Sequence, residues 1–173
     1  MTLERLTPWM IVAVGVASLS MALLAEHMFD LEPCILCLYQ RLPFVATALL
    51  ALVALKLPTG SAAIPLIIVV CALAYLAGAG VAVYHVGVEQ HWWISGCSGS
   101  TATELSFDQF RSSLGGKPEK SCDDVDWTLF GISMATYNVA FSAAMAAVSF
   151  LAAHLIWKNH DPKKTDTVQT PAR

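Results

Sequence analysis

The sequence predicts an all-α membrane protein, a four-transmembrane-helix bundle with one long extramembrane loop containing a short amphipathic helix. Three observations carry that expectation. Of 173 residues, 56% are hydrophobic and only 13% charged, with a mean hydropathy of +0.59, far more apolar than an ordinary soluble domain. The charges are unevenly spread, and the stretches between them hold almost nothing but Ala, Val, Leu, Ile, Phe and Met. Four such stretches reach the roughly 20 apolar residues that a helix rising about 1.5 Å per residue needs to cross a hydrocarbon core of about 30 Å.

The spans fall at about residues 9–25, 34–55, 62–83 and 129–157 within a membrane domain of residues 1–160, with a long loop over about 85–128. The first could be mistaken for a cleaved leader because Arg5 precedes it. Its apolar run is long for such a segment, however, and Ala25-Glu26-His27 lacks a small-x-small exit, so it reads as retained. The fourth ends at Trp157 and Lys158, an indole and an ammonium suited to the headgroup boundary. Beyond it, residues 161–173 are polar and contain Pro162 and Pro171, which predicts a flexible tail on the terminal side.

Four spans put both termini on one side. Arg5, Lys56, Lys158, Lys163, Lys164 and Arg173 share that side, against Arg111, Lys117, Lys120 and the membrane-adjacent Arg41 on the other. The Lys/Arg excess predicts cytoplasmic termini. The opposite loops are acidic and the formal net charge is -3, which argues against a nucleic-acid partner. No internal repeat or low-complexity block is present.

Five cysteines remain to be placed. Cys71 lies among Val69, Val70, Ala72 and Leu73 in the third span, where a thiol packs as a small apolar side chain. The other four fall on the non-cytoplasmic side, where disulfides form. Cys34 and Cys37 stand in Pro33-Cys34-Ile35-Leu36-Cys37 at the expected N-terminus of the second span. Unpaired N–H groups and the positive end of a helix dipole there favour a thiolate. Arg41, four residues past Cys37, would lie one turn deeper on the same face and add positive charge. An arginine at the edge of a span carries an insertion cost, which favours a functional role over mere snorkelling.

Other meanings of the CxxC pair fit less well. Haem attachment needs His directly after the second Cys, where this chain has Leu38. A structural zinc site would need two more ligands from His27, His91, Cys97 or Cys122, and none has metal-ligand spacing. No metal is therefore expected. Cys97 and Cys122, if bridged, would close a loop of some 25 residues, worth about 3–4 kcal/mol in a chain-entropy model. Gly96, Gly99, Gly115 and Gly116 in and around that loop favour mobility instead. Thr101-Ala102-Thr103-Glu104 reads as a capping box, followed by an apolar stripe of Leu105, Phe107, Phe110 and Leu114, and so predicts the amphipathic helix. Four cysteines permit three pairings, and the spacing leaves all three open, a Cys34–Cys122 bridge included.

Cys34-Ile35-Leu36-Cys37-Leu38-Tyr39-Gln40-Arg41 at the head of a second span, with a cysteine pair in a long second loop, resembles the DsbB family of bacterial inner-membrane disulfide bond formation proteins. The resemblance covers about residues 9–157. It implies a location in the bacterial inner membrane with the cysteines in periplasmic loops. It also implies a relay from a reduced, thioredoxin-like DsbA-type partner to a membrane quinone, ubiquinone or menaquinone. Carried over by position, Cys97 takes the attack of the partner thiolate, the freed Cys122 attacks Cys34, and Cys37 becomes a thiolate facing the quinone beside Arg41. His85, at the outer end of the third span, matches a family histidine near the quinone. Gln40 stands where the best-known family pattern has an acidic residue, so no carboxylate role carries over there. Trp92 and Trp93 fit an aromatic belt. Two other readings compete. One is a related CxxC quinone or vitamin K epoxide reductase, and the other is a non-catalytic membrane protein whose disulfides brace its loop.

Overall fold

The computed structural model describes residues 2–97, 120–125 and 127–159. The predicted amphipathic helix and the tail after residue 160 lie outside the described residues. Within them the chain forms helices α1 (Leu3–Phe29), α2 (Ile35–Tyr39), α3 (Leu42–Lys56), α4 (Ala63–Glu89) and α5 (Met134–Asn159), with strands β1 (Thr128–Leu129) and β2 (Ile132–Ser133) ahead of α5. Helices α1, α4 and α5, together with α2–α3 taken as one 22-residue span, give four segments long and apolar enough to cross a bilayer.

The helices outrun the predicted apolar stretches because polar residues at their ends find partners. Helix α1 begins at Leu3, with Arg5 Nη2 donating to the Leu57 carbonyl at 2.8 Å and Glu4 Oε2 accepting from Gly60 N–H at 2.9 Å. Arg5 thereby satisfies a carbonyl left over at the end of α3. At 27 residues each, α1 and α4 are roughly 40 Å long. α4 therefore extends past the predicted limit of residue 83 to include His85 and Glu89.

Two further boundaries depart from the sequence expectation. The second span is not one helix from Cys34: it turns at Gln40 and Arg41 before resuming at Leu42. Pro43 lacks the N–H that would bond back to Tyr39, and its ring crowds that carbonyl. The chain tightens instead, with Arg41 N–H bonding to Leu38 O at 3.1 Å. The fourth span starts at Met134, not 129, because the preceding apolar residues form a hairpin. Thr128 pairs with Ser133 and Leu129 with Ile132, around Phe130 and Gly131 at φ 54° and 77°. Positive φ at both central residues is the turn that suits strand twist, and Gly131 adopts it without strain.

Packing divides the molecule into two ends. Ile11, Phe44, Ile64, Ile68, Cys71, Tyr75 and Ile156 belong to the main buried cluster. A smaller separate cluster joins Cys34, Leu36, Val88 and Cys122, with Cys37 and Cys97 against it. α4 packs most extensively on α5, and α1 on α3. Where α3 meets α4, a Cβ on Gly78 would stand 3.0 Å from Pro43 Cγ, so the absent side chain permits the close approach usual between spanning helices. The outward residues of these helices, such as Leu49, Leu66, Leu73 and Leu151, are apolar and exposed, as lipid contact requires. Cys71 is buried, its thiol directed at the Thr47 carbonyl (3.8 Å), as expected of a packing residue.

Candidate functional site

The site is built at the end of the bundle where α2 begins. Cys34 is the N-cap of α2 with extended backbone (φ -71°, ψ 167°), and its sulfur accepts the Cys37 N–H at 3.3 Å. A sulfur here does what a Ser or Asp oxygen commonly does at a helix start. The same geometry turns the Cys37 side chain toward it, and the two sulfurs lie 3.0 Å apart as free thiols. Cys34 precedes the spanning segment, and its pKa is held well below the ordinary thiol range. The neighbouring Cys37 thiol contributes most, followed by His85 and the Cys37 N–H; burial opposes them. Each of the three donors stabilises the charged sulfur more than the neutral one.

Of the three possible pairings, the structure has Cys97 bonded to Cys122 and leaves Cys34 and Cys37 reduced. The Cys122 N–H also donates to the Cys97 carbonyl at 2.8 Å. Cys122 is fully buried, at 0% exposure, against Cys34, Leu36 and Val88, whereas Cys97 is only partly covered. The loop pair is thus docked on the CxxC pair. His91 Nε2, 3.8 Å from Asp123 Oδ2, joins the end of α4 to the same docked segment.

His85, at 4% exposure, comes from α4 and brings Nε2 to 3.6 Å from Cys34 Sγ. Its ring also meets the Cys122 backbone. Glu89, one turn on, has Oε1 3.9 Å from the same nitrogen, and its other oxygen accepts the Ser133 hydroxyl at 2.6 Å. The remaining ring nitrogen, Nδ1, lies 2.7 Å from Gln40 Nε2. Behind it, Asn138 Nδ2 donates to Gln40 Oε1, and the Ser142 hydroxyl donates to Asn138 Oδ1 at 3.0 Å. The Gln40–Arg41 turn, α4 and α5 are joined through this chain of amides.

Arg41 does not stand free beside the sulfurs. Its guanidinium is paired with Glu26 near the end of α1, the two side chains being 22% and 20% exposed. The pair borders a cavity of about 660 Å³ whose walls include Met21, Ala22, Phe44 and Phe141, and whose polar end carries Cys34, Cys37, Gln40, Arg41 and His85. A predominantly apolar cavity with a few convergent polar groups is the usual form of a small-molecule site.

Cys34, Cys37, Arg41, His85 and Cys122 therefore come together, with Cys97 at the edge. Cys34, Cys37 and His85 also place three possible ligand atoms within 4.8 Å of one another. A metal would need the bare lone pair of Nε2, which a neutral ring offers only with its proton on Nδ1, the nitrogen that lies 2.7 Å from Gln40 Nε2. Glu26, Glu89, Asn138 and Ser142 escaped the sequence reading. Asn138 and Ser142 left a usable signal, two polar residues four apart inside an apolar span, where such residues hydrogen-bond between helices.

The chain matches the family model described as disulfide bond formation protein DsbB over residues 4–152. It is 31% identical over 153 residues to a disulfide bond formation protein B of Xanthomonas campestris pv. campestris, covering 84% of this chain and 86% of that one. To the proteins of that name from two Xylella fastidiosa strains it is 33% and 34% identical, over 70% of this chain and 73% of each of theirs. With four membrane-spanning helices and a cysteine pair at the head of the second, the chain belongs to the DsbB family of disulfide bond formation proteins, as a multi-pass membrane thiol oxidoreductase.

Proposed function

We propose that the chain re-oxidises a periplasmic dithiol protein of the DsbA type and passes the electrons, through its two cysteine pairs, to a membrane quinone. The observation that carries this reading is the seating of a loop disulfide, its Cys122 sulfur buried and its Cys97 sulfur partly accessible, on a CxxC dithiol beside an apolar cavity. Arg5, Lys56 and Lys158 at the opposite end support an orientation with both termini in the cytoplasm and the sulfurs outside. The bacterial inner membrane is the location this implies.

The accessible sulfur is the one a large partner reaches. A partner thiolate attacks Cys97 Sγ, the Cys97–Cys122 bond breaks, and its electron pair leaves on Cys122. Starting from an oxidised first pair, the Cys122 thiolate attacks Cys34 Sγ and the electron pair moves on to Cys37. The partner's second thiolate releases Cys97, completing the partner's disulfide. Cys97 then attacks Cys122, which re-forms the loop disulfide and returns an electron pair to Cys34; the Cys34–Cys37 dithiol closes to a disulfide when its electron pair and two protons leave to the acceptor. Each step needs a thiolate in line with a sulfur. A bound quinone supplies a two-electron, two-proton acceptor. The cavity fits a flat apolar ring, and Arg41 at its polar end, with His85 beside it, is the donor that would hold a carbonyl oxygen.

The test uses the purified full-length chain in nanodiscs with a reduced thioredoxin-fold dithiol protein and a short-chain soluble quinone. Thiol loss should be matched by quinol, one per disulfide formed, and should vanish in Cys37→Ser; thiol loss indifferent to quinone would overturn the reading. The complete burial of Cys122 also favours a second reading, a loop disulfide that only braces the fold. That reading requires Cys122→Ser to trap no mixed disulfide on Cys97 and Cys34→Ser to leave the cell's thiol oxidation intact.

A further inference from the structure

We propose that Gln40 is the positioning residue of the first cysteine pair: its amide, held from behind by Asn138 and Ser142, makes Nδ1 of His85 an acceptor and so fixes the ring proton on Nε2, facing Cys34. The inference deepens the reading above and rests on Cys34 taking part in thiol exchange.

The argument is one of donor and acceptor inventory. Gln40 is 7% exposed, and its side chain reaches two neighbours, Asn138 and His85. Its oxygen is used by the Asn138 NH2, which leaves its own NH2 for His85 Nδ1 at 2.7 Å. Asn138 is fixed in turn, because its oxygen accepts the Ser142 hydroxyl at 3.0 Å. Turning Gln40 over alone would set two NH2 groups face to face at the Asn138 contact, a pairing with no acceptor. The opposite polarity requires Gln40, Asn138 and the Ser142 hydroxyl to reverse together. The three residues therefore act as a unit, and each orientation of that unit corresponds to one histidine tautomer.

In the observed orientation even a neutral ring presents an N–H to a sulfur that carries charge during exchange. The groups facing His85 are Cys34 from the start of α2, Gln40 from the following turn, Glu89 on its own helix and the Cys122 backbone from the loop. Cys37, the Arg41–Glu26 pair, Lys120 and Asp124 border the same cavity. A carboxylate at position 40 could only accept, so it would place the Nδ1 proton toward itself. An amide does the reverse and adds no charge to an apolar site.

The experiment uses the reduced full-length chain in nanodiscs with 15N-labelled histidine, the His85 signals being assigned by their loss in His85→Asn. Two-bond proton–nitrogen correlations are expected to show Nδ1 bare and Nε2 protonated in the wild type, and Nδ1 protonated in Gln40→Glu. A wild-type ring with Nδ1 protonated and Nε2 bare overturns the proposal, as does a Gln40→Glu ring identical to wild type. In parallel, the pH profile of Cys34 alkylation, read by peptide mass spectrometry, should move upward in Gln40→Leu, making the reaction about three- to tenfold slower on its acid limb. An unchanged profile in a folded Gln40→Leu also overturns it. If Gln40→Leu does not fold, the isosteric Gln40→Glu carries the test alone. Neither readout involves quinone or partner. A protein that reduces no quinone but shows this ring pattern would lose the oxidase reading and keep this one.

Discussion

Gly87→Ala is a one-carbon change on α4, two residues past His85, and its effect follows from where the new carbon would sit. A Cβ there would lie 2.5 Å from Cε2 and Cη2 of the Trp93 indole and closer still to Cζ2. The indole cannot yield by a rotamer adjustment alone. It is stacked on Tyr84 with centroids 5.6 Å apart, its Nε1–H donates to the Tyr84 carbonyl at 3.2 Å, and the Trp92 N–H is bonded to Gly87 O at 2.9 Å. Alanine gains about 1 kcal/mol of helix propensity over glycine. Against that, displacing the indole gives up an aromatic contact of about 0.5–1.5 kcal/mol, a hydrogen bond of about 0.5–1.5 kcal/mol and, the indole being 39% exposed, about 1–2 kcal/mol of apolar burial. The net loss is about 1–4 kcal/mol, and it falls on the residues leading to Cys97. Amide exchange over residues 92–97 should therefore speed up by roughly 5- to 700-fold, since each 1.4 kcal/mol is a factor of about ten. Hydrogen-exchange mass spectrometry on Gly87→Ala, Trp93→Ala and the double variant reads this directly. If the clash is the cause, the double variant matches Trp93→Ala alone. Unchanged protection in Gly87→Ala, or strict additivity, would refute the steric reasoning.

Arg41→Gln should raise the quinone KM about tenfold in the thiol-oxidation assay, whereas Glu26→Gln, which frees the guanidinium from its partner, should lower it severalfold; equal KM values in both variants would remove Arg41 from the acceptor site. Tyr75 Oη is buried with no hydrogen-bond partner among the described residues, and Thr47 nearby already gives its hydroxyl to the Phe44 carbonyl at 3.2 Å. Tyr75→Phe should therefore be neutral or stabilising by up to about 2 kcal/mol, read as an unchanged or raised melting temperature. Cys71→Ala should leave dithiol oxidation at the wild-type rate, because that thiol lies in the main core, outside the redox cluster; a large rate loss in a folded variant would contradict its packing role.

The bundle was legible because its cause is additive: hydropathy summed over about 20 residues marks a span whatever its neighbours do. Span boundaries were less so, since they depend on single events. Pro43 breaks the second span at Gln40–Arg41, and Gly131 lets Leu129, Phe130 and Ile132 turn as a hairpin instead of entering the fourth. In the site, Cys34, Cys37 and Arg41 announce themselves by spacing along one segment. The partners that govern them come from other segments: Glu26 from α1, Glu89 from α4, Asn138 and Ser142 from α5. Spacing carries no information about which helix faces which, so the pairing of Arg41 with a carboxylate and the link from Gln40 to His85 are visible only once the helices are packed.

That packing changes what the arginine means. A lone guanidinium one turn from Cys37 would be a constant positive charge on the sulfurs, present whether or not exchange is under way. Paired with Glu26 at the mouth of the cavity, it forms a nearly neutral unit whose attraction for a thiolate or a carbonyl oxygen is partly offset by the carboxylate. The charge near Cys34 is managed differently, by neutral donors: the Cys37 N–H and the His85 ring in its amide-fixed orientation. In a cavity with mostly apolar walls, an uncompensated ion would be expensive at rest. Neutral dipoles and a closed ion pair avoid that cost, while leaving a guanidinium that an incoming acceptor can draw away from Glu26. The Cys34 sulfur, whose charged form the site favours, thus faces N–H donors, while the guanidinium and the Glu89 carboxylate are each held by a partner of their own.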